Sequence, residues 1–98
     1  LEEEFFIFRR ESSMDKRIGI VGIVIEDFSS VSEVNEILHE YANLIVGRMG
    51  LPYKERCVSV ISLIMDGTND EISALTGKLG RIKGVSVKSM ITKETKNN

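Results

Sequence analysis

The chain is short of several residue types, and each shortage removes a class of explanation. One cysteine, Cys57, in 98 residues excludes an internal disulfide and any metal cluster built on cysteine alone. One histidine, His39, has no second strong ligand at a fixed spacing, so it reads as part of a solvated helix face and not as a metal site. One proline, Pro52, falls in a segment where a missing N–H is tolerated. Charge of neither sign dominates. With 13 Lys and Arg against 15 Asp and Glu, the net charge is −2, which offers neither a basic surface for nucleic acid nor the acidic excess of a disordered chain. The apolar runs are each interrupted by glycine or charge before they reach a bilayer's thickness. The opening LEEEFFIFRRESS is no basic region followed by an apolar stretch, so no cleavable signal peptide is expected. These absences fit a single cytoplasmic domain with no membrane contact.

What is present is clearest between Val58 and Ser89. Val58–Asp66 is nearly continuous apolar residue rich in β-branched side chains, a strand expected to be buried for most of its length and broken by Gly67. Thr68-Asn-Asp-Glu71 has capping-box spacing, and Asp70 and Glu71 suit the positive end of a helix dipole. Ile72, Leu75 and Leu79 then share one helical stripe. Gly80 is placed to end that helix in a left-handed conformation, and Gly84 turns the chain into a strand over Val85–Thr92.

The first half repeats this order. Arg17–Glu26 is a strand with Ile18, Ile20 and Val24 on one face and Val21, Ile23 and Ile25 on the other. Both faces are apolar, so the strand belongs in the sheet centre with something covering each side. Gly19 and Gly22 read as tight packing against a neighbour, with a ligand pocket as the other reading. They precede the turn instead of lying in it, and no GxGxxG or P-loop spacing follows. After the turn Asp27-Phe28-Ser29-Ser30, a second capping-box spacing, Ser30-Val-Ser-Glu33, predicts a helix to roughly Leu44. Its apolar arc is Val31, Val34, Ile37, Leu38 and Tyr41. Ile45–Tyr53 (IVGRMGLPY) is an edge strand, and Lys54–Arg56 a polar turn. Cys57 reads as a small apolar strand residue.

The resulting β-α-β-β-α-β order, with right-handed crossovers, predicts an α+β, ferredoxin-like sandwich. It has a four-stranded antiparallel sheet, strands one and three central, and both helices on one face. Residues 14–92 make up this domain, preceded by an extension over 1–13 and followed by a polar tail over 93–98, both expected to be poorly ordered. Helices on one face leave the other apolar face needing a partner, so self-association is expected.

The phrases RIGIVGIVIED, VNEILHEY, GRMGLPY and DGTNDEISALTGKLGRIKGV together resemble the iron-only hydrogenase system regulators. Those are small standalone domains with an ACT-like fold, similar to the C-terminal domain of the nickel-responsive regulator NikR. The resemblance covers about residues 14–92. It implies a regulatory module that assembles as a homodimer or homotetramer and senses a small effector or a partner regulatory protein. The nickel-responsive regulators bind nickel through several histidines and a cysteine, whereas this chain has only His39 and Cys57, so a site of that type is not expected.

No Ser/His/Asp, Cys/His or paired-carboxylate constellation is visible, and no helix-turn-helix or basic recognition element, so neither enzymatic activity nor direct nucleic-acid contact is expected. No cofactor can be named from the residues. The alternative function is a purely structural interaction domain without ligand. If an effector binds, the expected site is the helix-opening turn with Asp27, Ser29 and Ser30, completed by Arg48 from a neighbouring subunit. Arg48 has a second reading, as a charge that blunts the sheet edge against aggregation.

Overall fold

The computed structural model describes residues 16–93. The expected extension over 1–13, the domain's first two expected residues and positions 94–98 of the tail lie outside them. The elements are β1 (Lys16–Ile25), α1 (Val31–Glu40), β2 (Ile45–Tyr53), β3 (Val58–Thr68), α2 (Asn69–Gly80) and β4 (Val85–Ile91). The strands form one sheet in the order β2-β3-β1-β4, with every neighbouring pair antiparallel. This is the predicted α+β sandwich, with β1 and β3 in the middle.

The register explains how the strands divide their apolar residues. Val21 pairs with Leu63, Ile23 with Ile61 and Gly19 with Met65, all on the helix side. Successive side chains alternate across a strand, so Ile20 with Ile64, Gly22 with Ser62 and Val24 with Val60 occupy the other side. The core is the helix-side set together with Val34 and Leu38 of α1, Ile72, Leu75 and Leu79 of α2, and Ile82 beyond it. Burial in β3 therefore follows alternation, in contrast to the strand buried along most of its length that its composition predicts. Ile61, Leu63 and Met65 are buried, while Ile64 and Asp66 are exposed. Gly19 serves packing, because a Cβ there would lie 2.9 Å from Ile72 Cδ1.

Several local expectations are corrected by the backbone. β3 does not break at Gly67, which pairs with Arg17 and is followed by Thr68 paired with Lys16. Gly67 instead leaves room beside the start of α2, where a Cβ would lie 3.0 Å from Glu71 Oε1. The capping box itself is formed: the Glu71 N–H donates to Thr68 Oγ1 at 3.1 Å, and the Thr68 N–H donates to Glu71 Oε1 at 2.9 Å. Gly80 does not end α2 in a left-handed conformation. Arg81 keeps right-handed dihedrals, and the helix unwinds through i→i−3 bonds from Arg81 to Lys78 and Ile82 to Leu79, which carry Ile82 into the core. The left-handed glycine is Gly84, at φ +73°. Cys57 is no strand residue: it closes the Lys54–Arg56 turn at φ 57° and is exposed. The β2–β3 connection needs one left-handed residue, and no glycine is present between Tyr53 and Val58.

The entrance to α1 also differs from its capping-box spacing. Ser30 already has right-handed dihedrals and makes no cap bond, because a 3-10 turn over Phe28–Ser30 precedes the helix. Asp27 caps that turn, its Oδ1 accepting from the Ser29 N–H at 3.0 Å and the Ser29 hydroxyl at 2.6 Å. The Ser30 hydroxyl is buried and donates to the Lys83 carbonyl at 2.7 Å. The Glu26 N–H donates to the Gly84 carbonyl at 2.7 Å. These bonds tie the β1–α1 turn to the α2–β4 turn. α1 itself ends at Glu40, short of Leu44, since Tyr41 leaves helical dihedrals and a 3-10 turn follows over Ala42–Leu44.

Two consequences are measurable. A Cβ at Gly84 would lie 2.6 Å from Asp27 Cβ and would demand a left-handed alanine, so Gly84→Ala is expected to cost about 1–3 kcal/mol in denaturant unfolding. Gly77 lies inside α2, and a Cβ added there would meet nothing within 4 Å. It should respond oppositely, with Gly77→Ala gaining roughly 0.5–1 kcal/mol. The second concerns acid. The Ser29 hydroxyl, then the Ser29 N–H, hold the Asp27 carboxyl below its ordinary value, with Lys83 adding to the effect against a small opposing contribution from desolvation. Folding thus favours the ionised form. Its stabilisation is fully present above the ordinary aspartate pKa of about 3.9 and is lost as pH falls through the lowered folded value. Asp27→Ala should destabilise the chain near neutrality, with the deficit shrinking on acidification through that range. A deficit independent of pH would contradict the capping role.

Candidate functional site

The expected site residues occupy two separate places. Asp27, Ser29 and Ser30 form the corner just described, where the Asp27 carboxylate caps its own turn and the Ser30 hydroxyl ties that turn to the Lys83 carbonyl. Arg48 lies on β2, paired with Leu63 and therefore in register with Val21 of β1. Asp27 follows the end of β1, about six residues further along the strand direction, roughly 20 Å at about 3.3 Å per residue, with β3 between the two strands. One copy of the chain does not bring Asp27 and Arg48 together.

Arg48 has other neighbours. It projects from the helix-side row of an edge strand, where α1 is the adjacent element. Its Nη2 donates to Asn35 Oδ1 on α1 at 2.9 Å. Asn35 and His39 stand four residues apart and so share a stripe of α1. With Leu38, Ala42, Ile45 and Arg48 they line a cleft of about 280 Å³ between α1 and the start of β2. The sequence reading missed Asn35 and left His39 as a bare helix face. The i, i+4 spacing of these two polar residues beside the apolar arc was a usable signal, but which strand residue they would meet depends on the crossover.

A second, smaller cleft of about 120 Å³ is lined by Arg17, Thr68, Asn69 and Asp70 at the start of α2. The Arg17 Nε is buried and has no hydrogen-bond partner among the described residues. Among the described residues no group of three or more His, Cys, Asp or Glu stands close enough to hold a metal ion. His39 lies near the start of β2 and Cys57 beyond its end, so the sheet's length separates the two. No described helix is long and apolar enough to cross a membrane.

The largest chemical feature is the sheet face away from the helices. Ile18 and Ile20 of β1, Ile64 of β3, Met49, Leu51 and Tyr53 of β2 and Met90 of β4 are all exposed, from 40% at Ile18 to 71% at Met49. By register these belong to one surface: Ile20 pairs with both Ile64 and Met90, Leu51 with Val60 and Tyr53 with Val58. The row Lys88–Gly22–Ser62 crosses this surface between apolar residues on either side.

Comparison with known proteins assigns the chain. No curated protein matches it significantly. A solved structure does, that of an uncharacterized protein, TM1266, from Thermotoga maritima. The two are 40% identical and superpose with a TM-score of 0.76, over 80% of this chain and 99% of that one. Residues 17–89 match the TM1266-like family, described as "Iron-only hydrogenase system regulator, putative". That span runs from the first residues of β1 into β4 and contains both helices, the Arg48 cleft and every exposed apolar residue of the open sheet face but Met90, and on this match the chain belongs to the TM1266-like family.

Proposed function

We propose that the chain is a non-enzymatic regulatory module of a hydrogenase system, active as a homodimer or homotetramer, that reports on a small effector or a partner regulatory protein. The observation that carries this reading is the bare apolar sheet face. A sheet four strands wide, at about 4.8 Å spacing and with strands near ten residues long, offers a footprint of roughly 600 Å² before side-chain relief is counted. That approaches the roughly 800 Å² per partner of a stable interface. A second copy is the natural occupant, because a two-fold axis places the same apolar patch against itself and needs no complementary protein. The face carries few charges, with Lys16 and Asp66 toward one end and Lys88 on the edge strand β4.

The non-enzymatic reading is supported by the distribution of reactive groups. The single imidazole and the single thiol stand at opposite ends of the sheet, and the Glu71 carboxylate is engaged in capping. Nothing among the described residues resembles a recognition helix for DNA, so transcriptional regulation through this module requires a DNA contact from another chain. Assembly through the sheet also agrees with the oligomeric, ACT-like behaviour that the sequence resemblance implies.

Sedimentation of the full chain at micromolar concentration tests the assembly. The parent is expected to sediment as a dimer or tetramer. Ile64→Asp, which places a carboxylate in the middle of the open face without touching the helix-side core, is expected to give a folded monomer with parental helix content. A parent that remains monomeric, or an Ile64→Asp chain that still assembles, would overturn the assignment of this face.

A further inference from the structure

We propose that the cleft between α1 and the start of β2 binds a small organic monocarboxylate, with the Arg48 guanidinium as its anchor. This rests on the effector reading above and names the effector's chemical class. The first ground is charge. Among the described residues Arg48 is the only Lys or Arg lining the cleft, and no carboxylate lines it. Glu40, the next residue along α1 after His39, is engaged by Lys78 at 3.4 Å. One guanidinium balances one negative charge, which favours a monoanion.

The second ground is geometry. The bond from Arg48 Nη2 to Asn35 Oδ1 uses one of five guanidinium donors. It steadies the planar fork against α1 and leaves donors for a carboxylate, which guanidinium groups bind through two parallel hydrogen bonds. Arg48 makes no ion pair with an acid of its own chain among the described residues. His39, on the same stripe of α1 as Asn35, adds a polar group at the rim. The third ground is the lining. Ala42 and Ile45 make part of it apolar beside the polar groups of Asn35, His39 and Arg48. That mixed lining suits a carboxylate that carries a short hydrocarbon tail. A volume near 280 Å³ is at or below the small end of ligand pockets, which suits a small ligand.

The test is a nuclear magnetic resonance titration of the full chain with sodium butyrate, beside sodium phosphate and butylammonium chloride at matched ionic strength. Butyrate is expected to shift the signals of Asn35, His39, Ala42 and Arg48 saturably, in the millimolar range. Phosphate is expected to bind more weakly and butylammonium not to bind. Arg48→Gln should weaken butyrate by about tenfold or more, and Arg48→Lys, which keeps the charge but loses the fork, should fall between the two. Both substitutions are at an exposed edge position, and a dispersed spectrum verifies each fold. Shifts that fail to saturate, equal affinity in Arg48→Gln, or phosphate binding as tightly as butyrate would overturn the proposal. Sedimentation of the same samples separates the two readings. An assembled parent that ignores butyrate defeats only the ligand, and a monomer that binds butyrate defeats only the sheet-face assembly.

Discussion

Two helices can cover one face of a four-stranded sheet, and the apolar residues of β1 and β3 occupy both faces. This mismatch between what the strands present and what the helices cover governs most of the molecule. On the covered side it produces a continuous core from Val21, Ile23 and Ile25 through Ile61, Leu63 and Met65 to the buried rows of α1 and α2. On the other side the same two strands, with β2 and β4, expose Ile18, Ile20, Ile64, Leu51 and Met90. At roughly 25 cal/mol for each Å² of apolar surface removed from water, covering that side is worth far more than any single polar contact in the chain.

The helices hold their place through turn chemistry. The open corner of the sandwich is closed by backbone and short side chains: Ser30 to the Lys83 carbonyl, Glu26 to the Gly84 carbonyl, and Asp27 capping its own turn. Gly84 lets the α2–β4 turn approach Asp27 more closely than any side chain permits. α1 and α2 are joined further out by Lys78, which lies 3.4 Å from Glu40 and 5.1 Å from the Tyr41 ring centre. Tyr41 first and Glu40 second raise the Lys78 pKa, so the ammonium stays charged at this contact. Exposed as it is, the contact adds orientation more than stability.

Arg48 illustrates how an edge strand acquires chemistry. In a central strand its row is filled by Val21 and Leu63, whose burial leaves no space for a charge. At the edge the same row opens beside α1, so a guanidinium is tolerated with its head in solvent and one bond to Asn35. The bulge between Ile45 and Gly47 shifts the β2 register just before this point, and such irregularities re-aim the residues that follow. The Asp27 corner shows the reverse. Its hydroxyls and carboxylate have the composition of a ligand site, yet Asp27 and Ser29 cap their own turn and Ser30 fastens it to the next.

Local information sufficed where a structure is decided by neighbours in the chain. The capping box at Thr68 and Glu71, the stripe Ile72-Leu75-Leu79, the edge strand Ile45–Tyr53 and the central position of β1 and β3 were all legible, because each depends on periodicity or on contacts within one helical turn. Ser30, Gly67, Gly80 and Cys57 were misread for a common reason. For each, conformation is imposed by pairing or packing and not by residue type: the Lys83 carbonyl for Ser30, the pairing with Arg17 for Gly67, the burial of Ile82 for Gly80, and the β2–β3 pairing for Cys57. The candidate site divides the same way. That Arg48 stands on an edge strand was readable from Gly47, Gly50 and Pro52 around it. That it meets Asn35 and His39, while Asp27 lies two strands away, was decided only when the crossover laid α1 beside β2, since contacts between residues of different elements are set by packing and not by any local preference.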